Sequence, residues 1–157
     1  MLSEILLDRI RRTFALPLGS IHGEAHWARV YENGRRLAER TGADPGIVEL
    51  FAYLHDSRRE DDGWDREHGL RAAEFVWSLQ GTLLDLAEDR LECLVFACTY
   101  HSDGLTEASV TVQTCWDADR LDLGRIGVRP DQVRLCTPAA GDPATIEWAW
   151  SRSRVTR

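Results

Sequence analysis

The chain contains no lysine; all 19 of its basic residues are arginine. That excludes Schiff-base chemistry, which needs a lysine amine. Basic residues are also outnumbered by 26 acidic ones, for a net charge of −7. A broad basic face for nucleic acid or for a membrane surface is therefore not expected. Cysteine is sparse: Cys93, Cys98, Cys115 and Cys136 form no C-x-x-C pair, and Cys98 and Cys115 sit in apolar helical runs. They read as reduced core residues of a cytoplasmic protein rather than a disulfide or zinc framework. No uninterrupted apolar run approaches 18 residues, so no membrane span is expected. Glu4 and Asp8 break the first apolar run, which argues against a signal peptide. What remains is a 157-residue chain, 43% hydrophobic and 29% charged, long enough to bury one sizeable core as a single domain over 1–157.

No strand alternation, repeat or linker stands out, and the periodicity is helical. A first helix is expected from Leu2 to about Phe14, with Leu2, Ile5, Leu6, Ile10 and Phe14 on one face. Others are expected over about 24–40, from Pro45 to the His55-Asp56 pair, and over about 66–79, 83–100 and 107–123, with a short one near 144–150. The expected fold is all-α, a bundle of about six to seven helices. Residues from about 20 to 127 form the motif-bearing core, and an irregular tail broken by Pro130, Pro138 and Pro143 follows from about 128 to 157.

The stretch that organises the chain is Leu50-Phe51-Ala52-Tyr53-Leu54-His55-Asp56-Ser57-Arg58-Arg59. Phe51 and Val48 share the helical face of His55, so the imidazole points inward. A carboxylate buried beside it is costly unless paired. A metal ion answers that cost, because it takes a neutral imidazole and a carboxylate together. Five more candidates fall on inward faces or ends of successive helices: His26, Asp56, His68, His101 and Asp117. Bundle cores build metal sites from side chains on facing helices. Four imidazoles and two carboxylates suffice for two ions, with Asp56 free to bridge. Bland readings stand beside these: His68 as a loop residue, His101 as a helix C-cap, and Asp117 as a partner of Arg120.

The ordered pattern His26…His55-Asp56…Asp117 resembles the HD-domain superfamily of metal-dependent phosphohydrolases. The resemblance runs through His26-Trp27-Ala28-Arg29-Val30, Leu54-His55-Asp56 and Asp117-Ala118-Asp119-Arg120-Leu121, and covers roughly 24–127. It implies that His26, His55, Asp56 and Asp117 hold a first ion. His68-Gly69 and His101-Ser102 resemble the extra histidines of two-metal branches, among them a small diadenosine tetraphosphate hydrolase group. His22, one turn from His26, is an alternative first ligand. The implied activity is cleavage of a phosphoester or phosphoanhydride, expected to be that of a nucleotide, by a metal-activated water. One or two divalent or ferric ions (Fe, Mn, Zn, Mg or Ni) would serve, with Asp56 and His101 in the catalytic machinery.

Arg58 and Arg59 leave the helix end beside the site and are the expected phosphate ligands. Arg29, close to His26, is expected to orient an outer carboxylate. Trp64 is a candidate to cover or stack a base. The chain departs from several branches. It has no Gly-Tyr-Pro motif, its Glu60-Asp61 pair sits one residue too far from His55-Asp56 for a guanosine tetraphosphate hydrolase, and it lacks the lysine of the family's diiron oxygenases. A diiron oxygenase on the same scaffold and a non-catalytic metal- or nucleotide-binding domain remain the alternatives. The partner expected is a small phosphorylated molecule, with homo-oligomerisation left open.

Overall fold

Helix α3 (Pro45–Leu54) is apolar on nearly every side, and the helices over 4–13, 24–41, 88–100 and 110–120 pack around it. Gly46, Ile47, Val48, Leu50, Phe51, Ala52 and Leu54 are all buried, as a helix without a polar face requires. The computed structural model describes residues 2–154, and every regular segment among them is helical apart from one isolated bridge between Gln80 and Leu84. The all-α bundle expected from periodicity is therefore found.

Local chemistry sets the boundaries. α1 (Glu4–Thr13) starts where the Ser3 side chain accepts from the Leu6 amide, and it lays Leu6 and Ile10 into the core. α2 (Glu24–Thr41) ends at Gly42, whose φ of 78° lets its amide return to the Ala38 carbonyl. Asp44 caps α3 by accepting from Gly46 and Ile47, with Pro45 at the first position. The same carboxylate receives two bonds from Arg90 at 2.7 and 3.0 Å, which ties the start of α3 to α5.

α4 (His68–Leu79) and α5 (Glu88–Tyr100) form an antiparallel pair, of which α5 packs on α3. The helix expected from residue 83 begins only at Glu88. The chain instead turns tightly after Leu79, and the Gln80 side-chain amide clamps the Leu86 backbone in both directions, at 2.8 and 3.1 Å. α6 (Val110–Arg120) packs on α2, α3 and α5, with the Trp116 indole donating to the Ala97 carbonyl at 3.0 Å.

The C-terminal segment is more ordered than its prolines suggested. Two 3₁₀ turns (Leu123–Ile126, Gln132–Arg134) lead to α7 (Pro138–Gly141) and α8 (Pro143–Ser153). Both prolines stand at helix starts, behind the capping side chains of Thr137 and Asp142. A second small core, including Leu37, Leu121, Leu135, Ala140, Ile146 and Ala149, fastens this segment to α2 and α6. Trp148 is flanked by the guanidinium groups of Arg36 and Arg152 at 4.3 and 4.4 Å.

All four cysteines are unpaired, with Cys98 and Cys115 buried as read from the sequence. Burial raises the Cys98 thiol, well away from thiolate chemistry. No helix among the described residues is long and apolar enough to cross a membrane.

α2 approaches α3 and α6 closely at Gly34, where an added Cβ would lie 2.3 Å from Val48 Cγ1 and 3.4 Å from Ala118 Cβ. Valine in a helix has little rotamer freedom with which to yield. Gly34→Val should therefore lower stability by about 2 kcal/mol or more through overpacking. Gly19→Ala, which meets nothing within 4 Å, should be neutral in the same denaturant titration.

Candidate metal centre

Five helices bring a polar side chain to the same end of the bundle. His26 lies in the first turn of α2, His55 and Asp56 follow α3 directly, His68 opens α4, His101 closes α5, and Asp119 sits in the last turn of α6. The C-terminal ends of α3, α5 and α6 all meet here, and a helix C-terminus favours a cation.

Each imidazole is turned by its Nδ1. His55 Nδ1 meets the Phe51 and Ala52 carbonyls at 3.0 and 3.1 Å, and His101 Nδ1 meets the Cys98 carbonyl at 2.7 Å. The Ala52 and Cys98 carbonyls lie in last turns, where amide partners run out, whereas the Phe51 carbonyl also accepts the His55 amide at 3.0 Å. His68 Nδ1 bonds the Asp65 carbonyl, and His26 Nδ1 bonds Asp122 Oδ2 at 2.7 Å. Carbonyls and carboxylates only accept, so every Nδ1 carries the proton and every neutral ring presents a bare Nε2 lone pair. Those lone pairs converge: His26 and His55 Nε2 are 3.1 Å apart, and His68 and His101 Nε2 are 2.9 Å apart.

Asp56 stands between the two pairs. Its Oδ2 is 3.3 and 3.5 Å from Nε2 of His26 and His55, while its Oδ1 is 3.5 and 3.4 Å from Nε2 of His68 and His101. Asp119 Oδ1 completes the first side at 3.4 and 3.5 Å from His26 and His55, and it is buried without a hydrogen bond. Two lone-pair pairs and an orphaned carboxylate oxygen in a buried site are unfavourable unless a cation sits among them. These residues could hold a metal ion. Two overlapping groups have donor atoms close enough for one: His26, His55 and Asp119, and His55, Asp56 and His101. Neutral imidazole and carboxylate suit Zn, Fe, Mn or Ni, so the donor set fits an ion without naming it.

Without an ion the cluster collects protons. Burial and Arg125 oppose charge on His26, but Asp119, Asp122 and Asp56 outweigh them and raise it to about 9. Burial likewise opposes charge on His101, which Asp56 nonetheless raises. Burial and the neighbouring His101 push His68 down to about 4. Burial works against the charged forms of Asp56 and Asp119, yet the surrounding imidazoles hold both well below the usual carboxylate range.

Asp117, expected to be the α6 ligand, is not in the cluster. Its Oδ1 accepts from the Cys136 amide at 2.6 Å, and its Oδ2 accepts from the Thr137 amide and hydroxyl at 2.9 and 2.7 Å. It clasps the C-terminal segment, and burial raises its pKa despite those bonds. Two residues along a helix turn the side chain by about 200°, so Asp117 and Asp119 face opposite ways. Both ways are buried, one under the ligand cluster and the other under residues 136–137, so an inward register could not separate them.

Asp122 was also missed. It orients His26 through Oδ2 and accepts from Arg29 Nε through Oδ1 at 2.7 Å. The expected link from Arg29 to an outer carboxylate is therefore present. The available signal was the three-residue spacing from Asp119 to Asp122, which puts both on one face. His22 lines the site but does not replace His26: its Nδ1 pairs with Asp62 at 2.9 Å.

The two arginines separate. Arg59 lies at the site, donating through Nε to Asp56 Oδ1 at 3.2 Å and through Nη1 to the Asp61 and Gly63 carbonyls. Arg58 is turned away, with its guanidinium 4.9 Å over the Phe75 ring and bonded to the Thr13 carbonyl. Trp64 stands 86% exposed in the acidic loop and does not line the cavity. That cavity, about 880 Å³, opens directly over Asp56, His68, His101 and Asp119.

The approach of α4 to α5 depends on Gly69, whose added Cβ would meet the Thr99 and Cys98 carbonyls at 2.7 and 2.8 Å. Comparison with known proteins returned no matching family model, no matching curated protein and no matching solved structure.

Asp119→Asn should lose bound metal, measured by elemental analysis, with little change in the unfolding midpoint of the metal-free chain. Asp117→Ala should keep its metal content but lower stability by about 2–4 kcal/mol, because three donors at Cys136 and Thr137 lose their acceptor. A second outcome follows from His26. Raised to about 9, it is protonated at pH 7, and a ligand must be neutral. Loading should therefore release protons, and apparent affinity should rise with pH up to about 9. Calorimetry in buffers of different ionisation enthalpy measures both.

Proposed function

We propose that this chain is a metal-dependent phosphohydrolase of the HD-domain type, holding two ions and cleaving a phosphoester or phosphoanhydride of a small molecule, with nucleotides as the expected class. The observation that carries the reading is Asp56, whose two oxygens each face a separate pair of converging Nε2 atoms beneath one open cavity. His26, His55 and Asp119 with Asp56 Oδ2 would hold one ion, and His68 and His101 with Asp56 Oδ1 the other. When bound, such a pair supplies a water of lowered pKa and neutralises charge on phosphoryl oxygens.

The remaining work falls to the protein. Asp56 fixes the spacing of the two halves, and the Nδ1 anchors fix the ring planes. The Asp122–Arg29 pair keeps His26 in the tautomer that leaves Nε2 bare. Arg59, already on Asp56 and at the cavity wall, is placed to contact a phosphoryl oxygen. His101 serves here as a ligand through Nε2, since its Nδ1 proton is spent on the Cys98 carbonyl.

The test is metal analysis joined to a phosphatase screen over nucleotides and generic esters. Wild type should bind two ions under metal excess and turn over at least one phosphate ester. His101→Ala should bind one. Asp56→Ala should lose both metal and activity, whereas Cys93→Ser, far from the cluster, should change neither much. Saturation of wild type at one ion sinks the two-metal form of the reading. Full metal content in the Asp56 variant sinks the assignment.

A further inference from the structure

The cavity above the cluster has an unusual lining. Five guanidinium groups (Arg59, Arg120, Arg125, Arg129 and Arg134) line it, against four carboxylates. Two of those carboxylates, Asp56 and Asp119, lie in the ligand cluster, and a third, Asp62, is engaged by His22. Four of the arginines come from one stretch, the end of α6 and the 3₁₀ region that follows it. Arg125, Arg129 and Arg134 lie outside the three segments that carry the HD-like resemblance, and Arg120, though inside one, is no ligand in it.

Two of them carry an unmet donor. Arg120 Nη2 and Arg125 Nε are shielded from solvent and donate to nothing. Both side chains are otherwise held in place. Arg120 Nη1 donates to the Arg134 carbonyl at 2.9 Å, and Arg125 Nη1 donates to the Asp122 carbonyl at 3.0 Å. A desolvated guanidinium donor without an acceptor is costly; both side chains line the cavity, and a small turn of either toward an anion bound there would relieve it. The planar fork of arginine suits phosphate oxygens, which it can bind in pairs.

The charge balance points the same way. The lining is already net positive by one, and two divalent ions in the cluster would add four more. A single phosphate dianion leaves most of that uncompensated, whereas a chain of linked phosphates matches it. We infer that residues 120–134 form a second anion subsite, with Arg120 and Arg125 at its centre, which binds the phosphates of a polyphosphate that are remote from the cluster. The preferred ligand of the cavity is then a compound with at least two linked phosphates rather than a monophosphate ester. This rests on the phosphohydrolase reading for its catalytic meaning, but not for its binding.

Calorimetry on the full chain, metal-free and manganese-loaded, separates the two. Inorganic triphosphate and orthophosphate are the probes, with p-nitrophenyl phosphate as the small monoester in turnover. Wild type should bind triphosphate at least about tenfold more tightly than orthophosphate, the scale of one added charge-assisted contact. Arg125→Gln and Arg120→Gln should each remove most of that preference while leaving metal stoichiometry intact and the KM for p-nitrophenyl phosphate within about twofold. Because Arg120 also braces the backbone at Arg134, the Arg125 variant decides if the Arg120 variant fails to fold. Equal binding of triphosphate and orthophosphate by wild type overturns the subsite, as does an unchanged preference in Arg125→Gln. Triphosphate binding without turnover of any ester keeps the subsite and removes the hydrolase reading. Turnover without triphosphate preference does the reverse.

Discussion

Everything at the functional end of this bundle depends on where four imidazole protons go. Each Nδ1 is committed to an acceptor that cannot donate, and so each Nε2 is left bare and aimed at another bare nitrogen. In an ordinary core, histidines pair with a donor on one side and an acceptor on the other, and the ring is satisfied. Here the arrangement is satisfied only by adding positive charge from outside the chain, as protons or as metal. The Asp56 carboxylate and the shielded Oδ1 of Asp119 push in the same direction.

The helices make this arrangement cheap to build. Last-turn carbonyls of α3 and α5 need partners, and a histidine at the C-cap supplies one while pointing its other nitrogen across the bundle. The protein thus uses helix termination, which any bundle must solve, to set ring orientation. Close approach of the helices then depends on glycine: Gly34 between α2 and α3, and Gly69 between α4 and α5, stand where no side chain fits.

Much of this was legible in the residues, because it follows from periodicity. The all-α fold, the α3 register, and the convergence of His26, His55, Asp56, His68 and His101 come from inward faces of apolar helices. What was not legible turns on which of two buried directions a side chain takes. Asp117 and Asp119 both point into protein, and only the docking of residues 136–137 on α6 reveals which one meets the histidines. Arg58 and Arg59 differ in the same way, one captured by Phe75 and the other by Asp56. The arginine wall depends on how residues 120–134 are carried over the cluster, which no local pattern shows.

The Asp117 clasp also decides how much polypeptide is needed to make the site. Every candidate ligand lies before Arg120, so a fragment ending there would contain all the donor chemistry. Yet the same turn of α6 that offers Asp119 to one side is anchored on its other side by amides and a hydroxyl from Cys136 and Thr137. Cut away, those partners leave a bare carboxylate in an apolar seam, and the turn must reorient, admit water or take up a proton. A threonine with no ligand role, well past the last candidate ligand, is therefore part of what keeps this chemistry together.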